Sequence, residues 1–210
     1  MRCNGRGLSN GWLSIVIIAL ILVIDQLLKI EVKTSLSLGS AVKVTDWFYI
    51  EFVENNGMAY GMTFFNKLVL SVFRIVAISF IGCFIYRLVK QEHSRGYLVC
   101  LSMVLAGAAG NLIDCMFYGL IFEASTPYSI AGWLHGKVVD MFYFPIIQTH
   151  WPDWVPFCGG DEYVFFSPVF NFADACISVG VVLLLLFYRR ELERIGQVWK
   201  GFSSEKKANK

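Results

Sequence analysis

Four stretches of the chain are continuously apolar over about 20 residues, the length needed to cross a bilayer. They lie at about residues 12–30, 68–89, 97–117 and 169–188. The segments between them follow other patterns. Val42-Lys43-Val44 and the run from Trp47 to Val53 alternate or cluster as short strands do, which predicts a small sheet within residues 31–67. Residues 118–168 are rich in Trp, Tyr, Phe and Pro. Aromatic side chains favour the membrane–water boundary, so this segment is expected to lie on the membrane. The pattern predicts an all-α polytopic membrane protein. It has four transmembrane helices, a small extracytoplasmic β-sheet and an aromatic-rich outer segment, with residues 1–210 forming a single membrane domain.

Composition agrees with that reading. The chain is 56% hydrophobic and 16% charged, against about 45–50% and about 25% in an ordinary soluble domain. A net charge of +2 supplies no field for nucleic acid. The six cysteines include no C-x-x-C pair, and the three histidines have no metal-ligand spacing, so no metal site or cofactor is expected. Whether Cys115 and Cys158 pair stays open, since neither has a spacing signal.

Basic residues set the expected orientation. Arg2 and Arg6 precede the first run; Arg87, Lys90 and Arg95 follow the second. The tail carries Arg189, Arg190, Arg194, Lys200, Lys206, Lys207 and Lys210, so twelve of the 18 Lys and Arg fall on one side. Both termini are therefore expected to be cytoplasmic, with residues 31–67 and 118–168 facing outward. Lys29 and Arg74 are expected to snorkel at the outer ends of their spans. The first run is read as an uncleaved span, because no small-residue cleavage site follows it and Asp25-Gln26 interrupts its end.

Acids inside spans are functional candidates, since a charge at the bilayer centre costs about 2.5–3.5 kcal/mol on insertion scales. Asp25, Asp114 and Asp174 all fall near the outer ends of their spans, and Asp140 follows in the outer segment. Asn111 precedes Asp114 by three residues and Asn171 precedes Asp174 by three. Residues at i and i+3 share a helix face, so each span is expected to present an amide beside a carboxylate. The bland alternative is that such groups glue the bundle together; Asp25 and Lys29, at i and i+4, suit it best. The residues from Gly107 to Gly110 are read as helix packing.

Five motifs, in order along most of the chain, resemble those of the lipoprotein signal peptidase (signal peptidase II) family. Asp25-Gln26-Leu27-Leu28-Lys29 resembles D-Q-x-x-K, and Asn55-Asn56-Gly57-Met58-Ala59-Tyr60 resembles N-x-G-x-A-F. Gly107 to Asp114 resembles G-G-x-x-G-N-x-x-D, Val138-Val139-Asp140-Met141 resembles V-V-D-F, and Phe170-Asn171-Phe172-Ala173-Asp174 matches F-N-x-A-D. The resemblance implies a multi-pass enzyme of the bacterial cytoplasmic (inner) membrane with its active site near the periplasmic face; a monomer is the expected state, though the sequence does not give it. Its substrate would be a diacylated prolipoprotein, cut just before the lipid-modified Cys without a metal. It implies Asp140 and Asp174 as the catalytic pair, whereas position within spans alone would pair Asp114 with Asp174. Asn55, Gly57, Asn111, Asp114, Asn171, Ala173, Asp25 and Lys29 would bind substrate or support the site. The chain departs from the family pattern at Cys115, where an Arg is usual, at Ala108, where a Gly is usual, and in the greater length of the stretches on either side of Asp140. Two other classes compete: a proton- or cation-coupled transporter, which should carry acids through the depth of the membrane, and a noncatalytic lipopeptide-binding membrane protein.

Overall fold

A computed structural model describes residues 9–55, 67–91, 93–122, 133–134 and 136–193. In chain order the elements are α1 (Asn10–Ser35), β1 (Ala41–Thr45), β2 (Phe48–Asn55), α2 (Lys67–Lys90) and α3 (Arg95–Ile113). A π-helical turn (Asp114–Tyr118) and the short α4 (Gly119–Ile121) follow. Then come β3 (Val138–Tyr143), β4 (Ile147–His150), β5 (Glu162–Phe165), α5 (Phe172–Phe187) and α6 (Arg189–Glu193).

Among the described residues three helices are long and apolar enough to cross a membrane: Asn10–Ser35, Val69–Lys90 and Arg95–Ile121. The shorter α5 is also apolar. Its 16 residues span about 24 Å at about 1.5 Å per residue. The expected fourth span begins later than residue 169, because Phe170 forms an antiparallel bridge with Phe142 and the helix can start only after it. The first span extends beyond residue 30 to Ser35.

The chain separates into two compact units. The first takes in residues up to Val23, Ser71–Leu112 and the chain from Ala173. Phe84, Leu88, Tyr97, Leu98, Leu101 and Leu184 form its buried cluster. Within it, α3 and α5 approach through small residues. A Cβ on Gly107 would lie 2.4 Å from the Ala173 carbonyl oxygen, so the contact is backbone against side-chain-free backbone. The packing role read for Gly107 is borne out. Gly107→Ala is expected to lower stability by about 1–3 kcal/mol through overpacking. Gly82→Ala on α2, where a Cβ meets nothing within 4 Å, should be neutral or stabilising. Thermal unfolding in the same detergent separates the two.

The second unit takes in Ile24–Leu70 and Ile113–Phe172. Its three-stranded antiparallel sheet has the order β1-β2-β3. The two strands expected in residues 31–67 are present. The third comes from the aromatic segment, where the sequence pattern assigned no strand. Val139 and Met141 of β3 pack with Val32, Phe52 and Tyr118 to make the core of the unit. A separate β4–β5 hairpin pairs Ile147 with Phe165 through His150 with Glu162.

Candidate active site

Asp140 sits in the middle of β3. Side chains alternate along a strand, so Val139 and Met141 go to the apolar cluster and Asp140 to the opposite face. The register places Val53 opposite Asp140 and Asn55 opposite Val138, which makes Asn55 the diagonal neighbour of Asp140 on one face. The Asn55 amide donates to Asp140 Oδ2 at 3.1 Å. The Phe142–Phe170 bridge brings the next residue, Asn171, beside the same strand, and its amide donates to Asp140 Oδ1 at 2.7 Å. Each carboxylate oxygen thus accepts an amide N–H while Asp140 and Asn171 are both buried. The group is fixed in orientation on a sheet rather than on a flexible loop.

Asp174 lies in the first turn of α5. The close approach of Gly107 to Ala173 sets this end of α5 against α3. One turn beyond Gly107, the Asn111 amide donates to Asp174 Oδ1 at 2.7 Å. The i, i+3 spacing anticipated Asn111 beside Asp114 and Asn171 beside Asp174. These hydrogen bonds instead run between elements, Asn111 to Asp174 and Asn171 to Asp140.

Asp114 belongs to a different constellation. Lys29 Nζ is 2.8 Å from both Asp25 Oδ2 and Asp114 Oδ2, and all three side chains are fully buried. The expectation that Lys29 snorkels is overturned: two carboxylates hold its ammonium inside, so it has no need to reach water. Gln26 donates to Asp114 Oδ1 at 2.8 Å and to Asp25 Oδ2 at 3.2 Å, and the Tyr118 hydroxyl donates to Gln26 Oε1 at 3.1 Å. Asp114 Oδ2 also accepts the Val139 backbone N–H at 3.4 Å, next to Asp140. Gln26 was the residue overlooked, although it stands inside the Asp25-to-Lys29 motif. Cys115 and Cys158 are both free thiols.

The π-helical turn starts at Asp114. Such a wide turn displaces a carbonyl from the helical ladder. Here the Cys115 carbonyl accepts the Gly136 N–H at 2.9 Å. A Cβ on Gly136 would lie 2.0 Å from the Asp114 carbonyl oxygen, so only glycine allows this approach.

Near the end of the central strand β2, Glu54 is bound by Lys33 and by Lys137, the latter at 2.8 Å. Burial pushes its carboxyl up, but the hydrogen bonds and charges of Lys137 and Lys33 outweigh burial and hold it below its ordinary value. A carboxyl held low when folded adds stability above the unfolded-state value and loses it as pH falls through the folded one. Acid unfolding followed by circular dichroism should therefore show a shallower decline for Glu54→Gln at pH below about 4.5, from a lower starting stability near neutrality.

Gly57 and its motif neighbours from Asn56 to Tyr60 lie outside the described residues. Ala173 is buried at the α3–α5 contact.

The order and placement of these motifs match a known family: the profile described as Signal peptidase (SPase) II covers residues 17–189. The chain belongs to the signal peptidase II family. A lipoprotein signal peptidase of Porphyromonas gingivalis strain W83 is 50% identical over 193 residues, covering 87% of this chain and 85% of that protein. One from Amoebophilus asiaticus strain 5a2 is 38% identical over 190 residues, covering 87% of this chain and 80% of the other. A solved bacterial membrane enzyme, 24% identical, superposes with a TM-score of 0.59 over 85% of this chain and 88% of its own. A second, also 24% identical, gives 0.57 over 82% and 90%. Those structures share its fold, three to four apolar helices with small antiparallel sheets. The chain is an integral membrane peptidase, and family membership favours it over the transporter and noncatalytic readings.

Proposed function

We propose that the chain removes signal peptides from diacylglyceryl-modified prolipoproteins, cutting just before the lipid-modified Cys, with Asp140 and Asp174 as the acid–base pair. In this reading one carboxylate is ionised and takes a proton from water as the oxygen attacks the scissile carbonyl. The other is protonated and donates to the carbonyl oxygen, giving a tetrahedral diol. The first, now carrying the proton from water, then protonates the leaving amine as the C–N bond breaks and the second recovers a proton from the diol. Two carboxylates acting together in a poorly hydrated site share a proton, since both cannot ionise cheaply. The step balances without metal or cofactor: water adds across one peptide bond.

The observation that carries the assignment is the grip on Asp140, one asparagine amide on each oxygen of a buried carboxylate. Asp174 is held in the same manner by Asn111. Asp114 is instead committed to Lys29 and Gln26, which suits a scaffold. By their motifs Asn55, Asn111, Asn171 and Gly57 belong to the set that holds the substrate backbone.

The wider reading has α1, α2, α3 and α5 all crossing the inner membrane, both termini in the cytoplasm and the carboxylates near the periplasmic face. The lipid of the substrate then stays in the bilayer while the scissile bond reaches them. One chain supplies both carboxylates, which supports a monomer acting as a single membrane domain. The test is cleavage of a purified diacylated prolipoprotein by the purified protein, with Asp114, Asp140 and Asp174 replaced one at a time. No cleavage by the unaltered protein would overturn the activity; full cleavage by a folded Asp140→Asn protein would overturn the assignment.

A further inference from the structure

The β4–β5 hairpin plays no part in the chemistry above, yet it carries a conspicuous apolar surface. Its tip, from Trp151 to Gly160, is closed by its own backbone hydrogen bonds. Trp151 N–H donates to Asp161, Gly160 N–H to Trp151, Val155 N–H to Pro152 and Gly159 N–H to Val155. Trp151 stacks edge-on against Tyr163 at 4.8 Å. Trp154 is left 81% exposed and Phe157 wholly exposed, the latter in the left-handed region at φ 72° that a bulky residue rarely adopts. The apolar surface continues to the base of the hairpin, where Ile146, Ile147, Phe165 and Phe166 are exposed and Ile147 is paired with Phe165 on one face.

From this we infer that the hairpin is an interfacial anchor, seating Trp154 and Phe157 among the headgroups and upper chains of zwitterionic phospholipid in the leaflet where α5 begins. Continuity with the membrane surface supports lipid as the occupant. The exposed Phe165–Phe166 pair leads within seven residues into α5, an apolar helix beginning at Phe172. Charge supports the same choice. Between residues 138 and 188 the chain has no Lys or Arg, and the hairpin carries Asp153, Asp161 and Glu162. A second copy would bring like charges together and an anionic surface would repel them, whereas the ammonium groups of zwitterionic lipids complement them. Trp at this boundary keeps its ring in hydrocarbon and its N–H in the polar layer. The anchor would hold the Asp140 sheet, in the same unit, close to the membrane surface.

The full-length protein and its Trp154→Phe variant are reconstituted in phosphatidylethanolamine–phosphatidylcholine vesicles with and without lipids brominated near the headgroup. The difference between their emissions isolates Trp154. That difference should be blue-shifted and largely quenched by the brominated lipid. A difference signal untouched by the brominated lipid overturns the proposal: with iodide quenching the tip lies in water, and without it the tip is covered by protein. Trp154→Tyr repeats the measurement with a second side chain. The outcome is independent of whether the chain cleaves prolipoproteins.

Discussion

Asp140→Asn and Asp174→Asn should each reduce prolipoprotein cleavage by at least about 10²–10⁴-fold, the share that positioned acid–base groups contribute. An amide has the shape of a carboxylate but can neither take a proton from water nor donate one as an acid. The fold should persist. At position 140, where Asn171 and Asn55 donate to the two oxygens, the new amide can accept from one but meets the other donor with its own N–H groups. That mismatch costs about 1–3 kcal/mol, which leaves a marginally stable fold standing. Cleavage rate and far-ultraviolet circular dichroism on the same preparations separate lost chemistry from lost structure. Substituting Asp114 should give the opposite profile, with stability falling first.

Removing Lys29 should be the most destabilising single change in the polar interior. Lys29→Met leaves Asp25 and Asp114 facing each other in a site with no exposure. Breaking a buried pair by deleting one partner costs about 3–5 kcal/mol, because the remaining charge is uncompensated. Two carboxylates lose their shared cation here, so the upper part of that range is expected. Activity should fall too, because Asp114 accepts the Val139 N–H and so helps set the strand that carries Asp140. Thermal unfolding in detergent gives the stability, and the triple change Asp25→Asn, Lys29→Met, Asp114→Asn supplies the control. If burial of unpaired charge is the cause, the triple variant regains much of what the single one loses. A Lys29→Met protein that unfolds at the temperature of the unaltered chain would show that the cluster is not structural.

Both predictions rest on a division of the acids that the sequence pattern only partly reveals. The family motif separated Asp140 from Asp114, and in the structure their side-chain partners differ. Asp114 is bound to a cation and Asp140 to neutral amides.

The apolar helices were legible because burial in lipid demands a run of apolar side chains long enough to cross it, and such a run is a local property. The strands β1 and β2 were legible for the same reason, being neighbours in sequence. The motifs from Asp25 to Asp174 also identified the family, since five short patterns in order carry more information than any one. The third strand, the β4–β5 hairpin and the start of α5 could not be read in this way. Val139 pairs with Glu54 and Phe142 with Phe170, and those registers are set by partners far away in the chain. The same holds for the amides: helical spacing says which side chains share a face, but not which carboxylate each one meets. Only the packing of β3 against β2 and of Gly107 against Ala173 decided that Asn171 holds Asp140 and Asn111 holds Asp174. The burial of Lys29 was decided there as well. A lysine one turn from Asp25 can reach water or stay inside, and it stays because Asp114, 85 residues on in the sequence, completes its ion pairs.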